Sequence, residues 1–166
     1  MEIKKRIVTK IGNVFCVEIK NEFKCYFQYV ANDWEQLNSS VIRVFKKRYP
    51  IESTPAIDEI IQDEISFYVH TVLRAGIANG AWYKVGTSKE VGDTKNIMFR
   101  SYEDVNYAGT GKTKSYKWRV WKINEEWQFV GEMNDTYREY DLGWIFPYTN
   151  VITKIETGKF RFRLLD

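Results

Sequence analysis

The chain is poor in the residues that most often carry chemistry. Only two cysteines and one histidine stand among its 166 residues. A structural zinc takes about four Cys or His ligands, and Cys16, Cys25 and His70 cannot supply them, so neither a metal nor another cofactor is expected. Two thiols cannot staple a small fold, which points to a cytoplasmic chain with free cysteines. Those two flank Lys20-Asn21-Glu22 and read as small buried hydrophobes that face each other on paired strands. No apolar run approaches the roughly 20 residues that cross a bilayer. The basic opening MEIKKRIVTK is not followed by the apolar stretch of about 7–15 residues that marks a secretory signal. Repeats, low-complexity tracts and linkers are missing too, so one domain over 1–166 is expected. Charge is not extreme: 25 basic and 22 acidic residues give +3 and a pI near 8.7, short of a nucleic-acid footprint.

What the chain has in quantity is aromatic side chains: 6 Trp, 11 Tyr and 10 Phe, which exclude wholesale disorder. Period-two alternation runs through Phe15, Val17 and Ile19, then through Phe23, Cys25, Phe27 and Tyr29, predicting a hairpin over 13–20 and 23–31. Val41–Phe45 reads as a third strand of a curled meander. From Thr54, an N-cap candidate, and Pro55 at the first helical position, apolar residues recur at Ile57, Ile60, Ile61, Ile65, Tyr68, Val69, Val72, Leu73 and Ile77. This spacing predicts one long amphipathic helix, closed by Asn79-Gly80. Strand patterns return in Trp82–Val85, Asn96–Arg100, Tyr116–Ile123 and Trp127–Val130. A short helix is expected at 149–157 and an edge strand at Phe160–Leu164. The expected class is α+β: a curled antiparallel sheet or small barrel packed against the long helix.

Each chemical motif has a plain structural reading beside it. Gly109-Thr110-Gly111-Lys112-Thr113 ends like a phosphate-binding loop, but Asn106 stands where the motif needs its first glycine, and a strand pattern follows instead of a helix. His70 shares the polar face of the expected helix with Asp63 and Arg74, and Ser66 lies one turn earlier. That face offers no oxyanion pocket. Asp58, Glu59, Asp63 and Glu64 crowd two turns of one face, whereas glycosidase carboxylates flank a cleft. Charge is uneven: residues 1–50 carry +5, residues 51–83 carry −4 and residues 84–166 carry +2. The acidic segment suits a solvated face or a basic partner. Trp34, Tyr102, Tyr107 and Trp144 fall in apparent loops, where aromatics often serve as contact residues. Tyr116-Lys117-Trp118-Arg119 would also suit stacking on single-stranded nucleic acid.

The segment Ile11-Gly12-Asn13-Val14-Phe15-Cys16-Val17-Glu18-Ile19, followed by Phe23 to Val30, resembles the opening of the immunity protein 26 family of bacterial polymorphic toxin systems. In that family a Gly-Asp-(Val/Ile)-Phe strand pairs with an aromatic-rich one, and Asn13 here stands where Asp is common. Phe146-Pro147-Tyr148, Ile152, Ile155 and Gly158-Lys159 are similar to a stretch near the family's C-terminus. The resemblance implies an intracellular, non-enzymatic protein that binds a cognate toxin and blocks it by occlusion. Asp58, Glu59 and Asp63, with Trp34, Tyr102 and Tyr107, are the contact residues expected on charge and exposure. A nucleic-acid-binding domain and a small hydrolase are the alternatives.

Overall fold

The turn after the first strand is built by Lys20 and Asn21, both at positive φ (48° and 56°), and closed by the Glu22 amide donating to the Ile19 carbonyl at 2.8 Å. Two successive positive φ angles give the turn sense that matches the right-handed twist of paired strands, achieved here without glycine in the three-residue connection 20–22. It joins β1 (Asn13–Ile19) to β2 (Phe23–Asp33), and β3 (Ser39–Phe45) continues the meander, as expected. The computed structural model describes residues 6–104 and 109–166. After β4 (Tyr49–Pro50) come α1 (Ile57–Ile61), β5 (Ile65–Thr71), α2 (Leu73–Ala78) and β6 (Tyr83–Thr87). Then follow β7 (Met98–Tyr102), β8 (Trp118–Lys122), β9 (Gln128–Gly131), α3 (Asp135–Arg138), β10 (Asp141–Leu142), β11 (Ile145–Phe146) and α4 (Tyr148–Thr157).

The expected long helix is not there. Its middle is β5, a strand paired antiparallel to β3, with short helices on either side. Ile65–Thr71 is rich in β-branched and aromatic residues, which fit a pleated surface. Phe67 and Val69 enter one core, while Tyr68 packs against another on the opposite face. A strand covered on both faces carries apolar residues at nearly every position, so a helical spacing can be read into it. Thr54 and Pro55 do not cap α1, whose N-cap is Ala56.

A closed barrel is not formed either. The larger sheet is open, in the order β11-β5-β3-β2-β1-β6 with β4 on β2, and the smaller runs β10-β7-β8-β9. Most pairs are antiparallel, but β11 on β5 and β10 on β7 are parallel. One face of the larger sheet packs on α2 and α4 through Phe15, Phe27, Ile42, Trp82 and Val151. The other face is shared: α1 covers Val14, Cys16 and Tyr26, and the smaller sheet covers Val30, Val41 and Tyr68. Cys16 pairs with Tyr26 and Val17 with Cys25, so the thiols lie one residue out of register, in different cores.

The alternating Phe160–Leu164 does not become a strand. Phe160 stacks on Phe146 at 3.8 Å between centroids, and Phe162 packs against Trp144. Aromatic contact, not a hydrogen-bond ladder, satisfies its pattern.

Candidate functional site

The end of β2 holds a carboxylate bonded three times between the sheets. A register shift between Tyr29 and Ala31 precedes it, and Asp33 then points toward the smaller sheet. Its carboxylate is fully buried. Oδ2 accepts from His70 Nε2 on β5 and from Trp121 Nε1 on β8, both at 2.9 Å, and Oδ1 accepts from the Asn124 amide at 3.1 Å. Burial opposes this charge, but the bonds from His70, Trp121 and Asn124 outweigh it and hold the Asp33 carboxyl below the usual carboxylate range. His70 lies against the Phe99 ring at 4.2 Å between centroids.

Immediately after Asp33 the chain turns outward, and Trp34 is 68% exposed. Its backbone is braced. The Trp34 amide donates to Asn124 Oδ1 (2.8 Å), Asn124 Nδ2 donates to the Asn32 carbonyl (2.9 Å), and Gln36 Nε2 donates to the Glu125 carbonyl (3.1 Å). Asn124 sits at φ 63°, a left-handed position that asparagine tolerates. Trp34 borders a cleft of about 400 Å³ with Asn32, Asn38, Thr71, Val72 and Arg74. The exposed indole thus stands on a loop fixed from below.

The other expected residues fall elsewhere. Asp58 and Glu59 are exposed on α1, and Asp63 follows that helix. Glu59 pairs with Lys47 at 3.0 Å, and Glu64 pairs with Lys46. Asp63 accepts from the amides of Lys47 (3.0 Å) and Glu64 (2.8 Å). Much of the acidic segment is therefore spent on bracing the β3–β4 connection. Asp58 makes no ion pair among the described residues. Tyr102 is only 4% exposed, on β7, with its ring against Trp118 and Trp144. Tyr107 lies outside the described residues.

His70 is on β5 and fully buried, so it is not on a helix face with Asp63 and Arg74. Ser66 lies four residues earlier on the same strand, about 13 Å away at the rise of an extended chain. The two cannot form a nucleophile–base pair. Lys112 Nζ binds Asp104 at 2.6 Å, and the next regular element is β8, so the glycine-rich loop lacks the helix a phosphate site needs. In Tyr116–Arg119, Trp118 is buried and offers no face to a base.

Residues 10–111 match the family described as immunity protein 26, which is more than half of the chain. The chain belongs to the immunity protein 26 family. No curated protein and no solved structure matches it. The immunity protein 26 span contains Asp33, Trp34, His70 and Arg74, whereas Trp121 and Asn124 reach the site from beyond it. No helix among the described residues is long and apolar enough to cross a membrane.

Asp33 falls in the loop-like stretch 32–38 of the sequence and Arg74 near the end of the expected long helix, whereas Asp33 closes β2 and Arg74 lies in the first turn of α2. One signal did distinguish Arg74: it is the single basic residue between positions 51 and 83. Asp33 carries no comparable mark, because its three donors lie 37, 88 and 91 residues away.

Proposed function

We propose that this immunity protein 26 member acts in the cytoplasm by binding a cognate toxin protein and covering its working surface, without chemistry of its own. Family membership supports an immunity role. The observation that carries the binding mode is Trp34, a largely exposed indole on a loop held by three cross-bonds. Rigid aromatic anchors lose little freedom on association and dominate many interfaces. Trp34 is the anchor in this reading. Asp58 remains available to a basic rim, whereas Glu59 and Asp63 serve the internal braces.

The test is a search of the neighbouring genes for a toxin domain, followed by co-expression of the chain with it. The wild-type chain restores growth and co-purifies with the toxin domain as a stable complex. Trp34→Ala, an exposed change that leaves the fold intact, weakens the complex by about 30-fold or more. Growth arrest in the presence of wild-type chain, with no complex formed, refutes the proposal.

A further inference from the structure

Three residues beside the cleft are placed against the rules that stabilise folds. Trp34 leaves most of its indole in water. Val72 occupies the N-cap of α2, where it supplies no capping oxygen, and it is 53% exposed. Ser, Thr, Asp or Asn is favoured there. Arg74 lies in the first turn of the same helix, where a cation opposes the helix dipole. It is exposed and makes no hydrogen bond or ion pair with any described residue. Places where local preferences fail together are where function constrains a sequence.

The lining decides which chemistry fits. Among the described residues, Arg74 is the one charged side chain that lines the cleft, and no carboxylate borders it. The remaining polar groups are the amides of Asn32 and Asn38 and the hydroxyls of serine, threonine and tyrosine, and Tyr29 already donates to Asn32 at 2.8 Å. Arg74 is thus an unspent cation in a segment that is otherwise acidic. A guanidinium binds a carboxylate through two parallel bonds, a geometry lysine cannot reproduce. Nucleic acid is a poorer fit: phosphate backbones are held by several cations, and among the described residues one lines this cleft.

We propose that the Trp34 cleft receives an acidic segment of the protein partner, with an Asp or Glu carboxylate on Arg74 and an adjoining apolar side chain against Trp34 and Val72. This rests on the toxin-binding reading and names the partner chemistry that the site takes.

The experiment measures binding of the purified neighbouring toxin domain to the full-length wild-type chain, Trp34→Ala, Arg74→Lys and Arg74→Glu, at low and high salt. Melting curves confirm that each variant is folded. Arg74→Glu should raise Kd by about 30-fold or more, and Arg74→Lys should recover only part of the loss. An Asp→Arg or Glu→Arg change in the toxin domain should restore binding to Arg74→Glu, the mark of a direct pair. If Trp34→Ala weakens binding while Arg74→Glu stays within about threefold of wild type, the acidic-segment proposal is overturned and toxin binding stands. If neither change matters, the cleft is not the contact. If the wild-type chain does not bind the toxin domain, the functional reading fails and takes this inference with it. Arg74-dependent binding of a single-stranded oligonucleotide in place of the toxin domain also overturns the proposal.

Discussion

Replacing Asp33 with alanine removes the acceptor for three donors between the two sheets. Trp121 Nε1, His70 Nε2 and the Asn124 amide would each lose a bond of 2.9–3.1 Å. A buried polar group left unpaired costs about 1–3 kcal/mol. Allowing for partial relaxation, the three together give a loss of about 3–6 kcal/mol, a large share of the roughly 5–15 kcal/mol that holds a domain folded. Asp33→Asn is the sharper variant because it keeps the volume. Its single oxygen can face either the Trp121–His70 pair or Asn124, so its amide nitrogen must meet a donor on the other side. It should lose about 2–4 kcal/mol. The assay is urea unfolding followed by tryptophan fluorescence, with the slope checked for two-state behaviour. Acidity adds a second readout. The Asp33 carboxyl is held below its usual range, so its contribution is complete above the unfolded value near 3.9 and is lost as pH falls through the lower folded value. The gap between wild type and Asp33→Ala should stay flat from about pH 8 to 5 and narrow only below about pH 4. A loss under about 1 kcal/mol for both variants at pH 7 would refute the view that this carboxylate ties the sheets together.

Three further expectations follow from other residues. Burial pushes the Asp141 carboxyl up to about 6, against the Tyr68 amide and the Lys154 and Arg100 charges that favour ionisation. The folded chain therefore bears a cost above that value which vanishes below the unfolded one, and Asp141→Asn should raise Tm at pH 8 and change it little at pH 4; the reverse order refutes this. Gly143→Ala would drive a methyl into the Trp121 ring and should lower stability by about 1–3 kcal/mol in thermal melts. Cys16 and Cys25 are buried, and burial raises both thiols, Cys25 to about 11, so neither should react with a thiol reagent at pH 8 until urea unfolds the chain.

The hairpin was legible because β1 and β2 keep strict alternation and their register depends on a local turn. The region from Ile57 to Ile77 was not. A strand whose two faces are both covered loses the polar half of its pattern, and its spacing then passes for a helix. The same misreading placed His70 on a surface, when the sheet encloses it. Trp34 could be picked out because an indole among Asn, Asp, Glu and Gln signals a loop. Tyr102 cannot be separated from it in that way: pairing with Trp118 across β7 and β8 and packing on Trp144 make it interior. The support beneath Trp34 was invisible because it joins residues some ninety positions apart, a relation that no window along the chain contains.

The brace from Asn124 also sets a timetable. Trp34 leaves the ribosome early, but the residue that fixes its loop is made 90 positions later, roughly 5–18 s at ordinary rates of synthesis. The outermost parallel strands come later still, since β10 and β11 lie two residues apart and close different sheets. A half-made chain would display the indole on an unfastened loop, so under the proposed function toxin binding would begin with finished molecules and not with nascent ones.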